Sequence, residues 1–115
     1  MNKVQIWHNS RCSKSRDAFQ WLADHQIEND WVDYMKNPIQ KEELKSMRVK
    51  LNMSAFELIR KGEKIFKENW KNAPKSESEW IDIMIAHPNL IERPIVINGN
   101  KAVVARPLER IEELF

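Results

Sequence analysis

The chain has 115 residues, enough to enclose one hydrophobic core and short for two. Hydrophobic residues make up 42% and charged residues 31%, the balance of an ordinary globular protein, and with 2 glycines and no low-complexity tract there is no basis for long disorder. The formal net charge of +2 suits a small anion but lacks the strong clustered basicity of a nucleic-acid binder.

Cys12 is the single cysteine, so the chain closes no internal disulfide and builds no Cys-rich zinc site. His8, His25 and His87 are far apart and lack metal-ligand spacing, so no metal is expected. The first residues, MNKVQIWHNS, contain no apolar signal-peptide core, and no apolar run approaches the roughly 20 residues of a membrane span. The expectation is a cytoplasmic protein without nucleic-acid or membrane partners.

Val4 and Ile6 alternate with Gln5 and Trp7, which predicts a first strand over Lys3 to His8. Asn9, Ser10 and Arg11 read as a turn. A helix is predicted from Ser13 to His25, with Phe19, Leu22 and Ala23 on its buried face. Trp31 to Met35 reads as a second strand with Val32 and Tyr34 on one face. Asn37-Pro38 is a turn signal, and Leu44, Met47 and Leu51 form the apolar stripe of the next helix. Ser54-Ala55-Phe56-Glu57 is a capping box, in which a serine and a glutamate satisfy each other's backbone donors; Phe56, Leu58 and Ile59 are its core candidates.

Lys61 to Lys75 reads as surface turns with a helical turn around Phe66. Ser76 to Glu79 is a second capping box, opening a helix with Trp80, Ile83 and Met84 that ends before Pro88. The period then changes. Ile95-Val96-Ile97 and Ala102 to Ala105 read as two strands joined by an Asn98-Gly99 turn, and Pro107 suits the start of a final helix that buries Leu108 and Ile111. The order β-α-β, inserted helices, β-β-α predicts an α/β protein. Its mixed four-stranded sheet, with one parallel pair and one antiparallel hairpin, is the thioredoxin-like arrangement. Residues 1–115 form one such domain, with a helical insertion over roughly 40–90.

Cys12 falls where the first strand hands over to the first helix. Helix N-termini present unpaired N–H groups and partial positive charge, both of which favour a thiolate, the nucleophilic form of cysteine. His8, Arg11, Lys14 and Arg16 surround it in sequence, and Ser15 lies about one helical turn on, where its hydroxyl can donate to the sulfur. Position and neighbours leave two readings open, a nucleophile and a small buried core residue.

The segment His8-Asn9-Ser10-Arg11-Cys12-Ser13-Lys14-Ser15-Arg16 resembles the active-site segment of the glutaredoxin-coupled arsenate reductase family. The resemblance continues through Glu57-Leu58-Ile59-Arg60, Ala86-His87-Pro88, Leu90 to Val96 and Ala105-Arg106-Pro107, and so spans nearly the whole chain. It implies that Cys12 attacks arsenate and that Arg60, Arg93 and Arg106 form the substrate's anion site. Guanidinium groups offset the repulsion between a thiolate and an oxyanion and bind oxyanions through paired hydrogen bonds. It also implies that Pro94 is a structural cis-proline beside the active site and that His8 helps to keep Cys12 ionised. Many members have proline where this chain has Ser10, which leaves the turn here less constrained.

A single thiol cannot supply both electrons of arsenate reduction through an internal disulfide, so the resemblance implies glutathione as co-substrate and glutaredoxin as partner, with no bound cofactor. The other arsenate reductase class, on the low-molecular-weight phosphatase fold, needs Cys-x5-Arg; position 18 here is Ala18, which excludes it. Two alternatives remain at this stage. Spx-type transcriptional regulators, which bind RNA polymerase, resemble this domain but commonly carry Cys-x-x-Cys where this chain has Cys12-Ser13-Lys14-Ser15. A glutathione-dependent thiol reductase with another substrate is the second.

Overall fold

The computed structural model describes residues 3–9 and 11–115; the Ser10 departure therefore lies outside the described residues. The chain divides into two compact units, one made of the residues up to Asn37 with Arg93–Phe115, the other of Pro38–Glu92.

The first unit holds the sheet. Strands β1 (Val4–His8), β2 (Asp30–Asp33), β3 (Ile95–Asn98) and β4 (Lys101–Val104) lie in the order β2-β1-β3-β4. β1 and β2 are parallel, with Ile6 opposite Trp31; β3 is antiparallel to both β1 and β4. This is the mixed sheet of a thioredoxin-like fold. Ile6, Val96 and Val103 stand side by side across it, and with Val4 they meet Ala18 and Leu22 of helix α1 (Ser13–Asp24) and Ile111 and Leu114 of the closing helix. On the other face Trp7, Ile95, Ile97 and Val104 are also buried. Strands buried on both faces explain why the β-branched run Ile95-Val96-Ile97 shows no polar alternation.

Several helix faces differ from expectation; Phe56 of the predicted Ser54 helix, for one, is 38% exposed. The buried face of α1 is Ser15, Ala18 and Leu22, whereas Phe19 is 38% exposed and Ala23 is exposed. Small residues at i and i+3 let the helix approach the sheet closely, and the larger Phe19 is displaced to its flank. The closing helix is a 3-10 helix over Leu108–Leu114, with Pro107 preceding it. At three residues per turn, Leu108, Ile111 and Leu114 fall on one stripe; Ile111 and Leu114 are buried and Leu108 packs partly buried against the core. The hairpin turn is also shifted by one residue. Asn98 pairs with Lys101, so Gly99 and Asn100 form the loop, and Gly99 takes the left-handed backbone conformation at φ 64°.

The second unit is helical: α2 (Lys41–Leu51), α3 (Ala55–Leu58), α4 (Lys64–Asn69), α5 (Glu77–Ala86) and a 3-10 turn at Pro88–Leu90. Both capping boxes form. Ser54 Oγ accepts from the Glu57 N–H and Ser76 Oγ from the Glu79 N–H, each at 3.2 Å, and each glutamate accepts from its serine's N–H. Leu44, Met47, Leu58, Phe66, Trp80, Ile81 and Met84 are buried. Ile81 takes the buried position expected for Ile83, and Ile59 leaves α3 to form an isolated bridge with Ile91. No helix among the described residues is long and apolar enough to cross a membrane.

Candidate active site

Cys12 is the N-cap residue of α1, with extended backbone at φ −97° and ψ 122°. The turn before it is tied down from three directions. The Cys12 N–H donates to the Asn9 carbonyl at 2.9 Å, the Arg11 N–H to Asn9 Oδ1 at 3.0 Å, and the Asn9 N–H to Ser15 Oγ at 3.2 Å. Asn9 is thus the hub of the loop. In the sequence it stands only as a turn residue, although a short amide side chain that accepts a nearby backbone N–H is the signal for this role.

Burial pushes the Cys12 thiol up, but the Ser15 N–H, a hydrogen bond from the Arg93 side chain, the Lys14 N–H and the Arg93 charge outweigh it and hold the thiol below its ordinary value. The sulfur makes no cap hydrogen bond of regular geometry, so the helix N–H groups act on it mainly as oriented dipoles. Ser15 therefore reaches the sulfur by a different atom from the one expected. Its backbone N–H faces the thiolate, while its fully buried hydroxyl accepts from Asn9.

Arg93 and Arg106 come to Cys12 because of the sheet register. Trp7 pairs with Ile95 and Ile95 with Val104, so the open end of the hairpin lies at the carboxyl end of β1. The Ala105 N–H donates to the Pro94 carbonyl at 2.9 Å, which joins the two arginine-bearing segments just outside the strands. Arg106 Nη2 stands 3.7 Å from Cys12 Sγ, and Arg106 Nε is buried without a hydrogen-bond partner. Arg93 contacts the sulfur and also the buried Tyr34, which follows β2 directly and whose place on a strand face in the sequence gives no sign of this role. The Arg93–Pro94 peptide is cis, as is Arg106–Pro107.

His8 ends β1 and is buried. Its ring lies 5.7 Å from that of Phe19 and edge-on to Trp31 at 5.9 Å. Burial lowers its pKa; Asp33 and the Ser15 backbone oppose this and Arg16 adds to the lowering. Arg60 belongs to the helical unit. Its N–H donates to the Leu90 carbonyl at 2.7 Å, its Nε pairs with Glu63 at 3.2 Å, and its Nη1 is buried without a hydrogen-bond partner.

A partly exposed cysteine at a helix start, its thiolate form favoured and faced by two guanidinium groups, is equipped to attack an electrophile that carries negative charge. Comparison with known proteins agrees. The pattern of the ArsC family matches residues 7–114. The chain is 40% identical to an arsenate reductase of Neisseria meningitidis over 100% of both chains. It is 39% identical to an uncharacterized protein, YfgD, of Escherichia coli K12 over 97% of this chain and 96% of that one. A solved arsenate reductase from Vibrio cholerae superposes with a TM-score of 0.92 at 33% identity, covering 97% of each chain. Sheet order, cysteine placement and these matches agree, and the chain belongs to the ArsC family.

Proposed function

We propose that the protein reduces arsenate to arsenite, with Cys12 as nucleophile and external thiols as reductant. The observation that carries this reading is the Arg106 guanidinium. It holds one N–H toward the sulfur at 3.7 Å and keeps a second buried and unpaired. An unpaired buried donor costs about 1–3 kcal/mol, which an oxyanion accepting from it recovers.

In the proposed cycle the Cys12 sulfur bonds to arsenic, and one As–O bond breaks, its oxygen leaving as water after protonation. The Ser15 and Lys14 N–H groups and Arg93 favour the ionised form of the thiol for this attack, and Arg93 and Arg106 neutralise the oxyanion as it approaches. His8 acts at one remove, against the backbone of Ser15. The thiolate of glutathione then attacks the Cys12 sulfur. The S–As bond breaks with its electron pair remaining on arsenic, so arsenic(V) leaves as arsenic(III) with the proton, and Cys12 is left in a mixed disulfide with glutathione. A glutaredoxin thiol takes the glutathione sulfur and releases the Cys12 thiolate. Two thiols are oxidised to one disulfide, which accounts for the two electrons. The setting proposed is a cytoplasm with a reducing glutathione pool.

A coupled assay with arsenate, glutathione, glutaredoxin and NADPH-linked regeneration of glutathione tests the reading. Wild-type protein is expected to turn over and Cys12→Ser to be inactive. Full activity in Cys12→Ser overturns it.

A further inference from the structure

Tyr34 is the single tyrosine of the chain. It is fully buried, although it stands one residue beyond the edge strand β2. The sheet register explains where it goes. Asp33 pairs with His8, so Tyr34 lies level with Asn9, just past the carboxyl end of β1. On the other side of β1, Trp7 pairs with Ile95 in antiparallel register, so Arg93, two residues before Ile95, also comes level with Asn9. The two residues flank one backbone position from opposite sides, two strand spacings or roughly 10 Å apart. Only long side chains close that gap. Tyr34 shares the sheet face of Val32 and Trp7, and its ring lies 6.3 Å from that of Trp7, tilted by 43°. There its hydroxyl meets the Arg93 side chain.

A buried tyrosine hydroxyl needs a hydrogen-bond partner. A guanidinium only donates, so in this contact the phenolic oxygen accepts. The same guanidinium hydrogen-bonds the Cys12 sulfur. Arg93 is therefore held between two acceptors, one in the turn after β1 and one just beyond β2. Its long stem loses rotamer freedom when it is ordered, and a second acceptor offsets part of that cost in the one rotamer that faces the sulfur. A phenolic oxygen also leaves the charge intact. A carboxylate in the same place would offset the guanidinium's charge and repel an approaching anion.

We propose that Tyr34 is a positioning residue of this site: its hydroxyl oxygen accepts from the Arg93 guanidinium and fixes that charge facing Cys12 Sγ, where the sulfur and an incoming anion meet the same oriented fork. The proposal rests on the reading that Cys12 is the reacting group, but not on arsenate being the substrate.

The test is made without arsenate. The whole protein is treated with iodoacetamide, which is neutral, and with iodoacetate, which carries a carboxylate. Both react with the Cys12 thiolate, so the ratio of their rates cancels the thiolate fraction and reads how strongly the site favours an anion. Tyr34→Phe keeps the ring and removes the hydroxyl. It is expected to lower the iodoacetate-to-iodoacetamide ratio about threefold, the scale of one hydrogen bond, and to leave the ratio unchanged when added to Arg93→Met. A ratio that Tyr34→Phe does not move overturns the proposal. So does an equal fall with and without Arg93, because Tyr34 would then act through packing alone. Being the single tyrosine, Tyr34 also gives a readout in the unsubstituted chain: protein made with fluorotyrosine carries one fluorine NMR resonance. Alkylation of Cys12 by iodoacetamide is expected to shift that resonance, and the shift is expected to vanish in Arg93→Met. A resonance blind to alkylation overturns the proposal even where Tyr34→Phe fails to fold. A lowered reagent ratio in a protein without arsenate turnover would sink the proposed substrate and leave the role of Tyr34 standing; arsenate turnover beside an unmoved ratio would do the reverse.

Discussion

Replacing Arg106 by methionine removes a charge while keeping the length of the side chain, and the geometry sets the size of the effect. At the 3.7 Å separation of Nη2 and Sγ, opposite unit charges attract by about 1 kcal/mol under full water screening and about 4.5 kcal/mol at an effective dielectric near 20. Cys12 is partly exposed, so the lower figure is the floor, and about 1 kcal/mol corresponds to roughly a sixfold fall in the thiolate fraction below the thiol's pKa. Alkylation by neutral iodoacetamide reads that fraction directly and is expected to slow by about this factor at pH 6. Under the proposed function, arsenate kcat/KM is expected to carry a second loss, the charge-assisted hydrogen bond to the oxyanion, worth about 1.5–3 kcal/mol or roughly a further 10- to 150-fold. The ratio of the two losses isolates the anion contact from the effect on the thiol. Equal losses in alkylation and arsenate turnover would refute the anion role. An Arg106→Met protein unchanged in both would refute the reasoning from its outset.

Ser15→Ala is expected to cost about 1–3 kcal/mol in urea unfolding, because the buried Asn9 N–H loses its acceptor. Its effect on the alkylation rate is expected to be smaller, since the backbone N–H of residue 15, not the hydroxyl, faces the sulfur; a loss confined to alkylation would reverse that assignment. Gly99→Ala is expected to lower stability by about 1–2 kcal/mol from backbone strain alone, because φ is 64° while an added Cβ meets no atom within 4 Å. An unchanged melting temperature would contradict this. His8 has a folded-state pKa below its ordinary value, so the unfolded chain binds its proton first on acidification. The stability it contributes is present above about pH 6.5 and is lost as pH falls through the folded pKa. His8→Phe is expected to flatten this part of the stability profile, measured by denaturant titration from pH 7 to 5; an unaltered slope would show that the ring is not buried neutral.

Much of the fold is decided by local chemistry and was legible for that reason. The two Ser-x-x-Glu capping boxes and the β-branched run at Ile95 act within a few residues of themselves, and each produces the element expected of it, while the glycine after Asn98 turns the chain one residue later than expected. The face of α1 was misjudged because burial depends on what a helix packs against. Ala18, not Phe19, meets the sheet, and no residue within the helix carries that information. The stripe of the closing helix was partly missed because three residues per turn, rather than 3.6, aligns Leu108 with Leu114.

The site divides along the same line. The sequence by itself determined that Cys12 is alone in this chain, that it begins a helix and that it can close no disulfide within the chain, because these follow from composition and from one strand-to-helix junction. Arg60 as an anion ligand rests on the family resemblance. Only the tertiary structure decided that Arg106, 94 positions away in the chain, reaches the sulfur. It also decided that Ser15 faces Cys12 with its N–H and that Tyr34 touches Arg93. These contacts depend on the register that sets the open end of the β3–β4 hairpin against the carboxyl end of β1. Strand register is a long-range choice fixed by which faces are buried, so it is a property of the assembled sheet and not of any single segment.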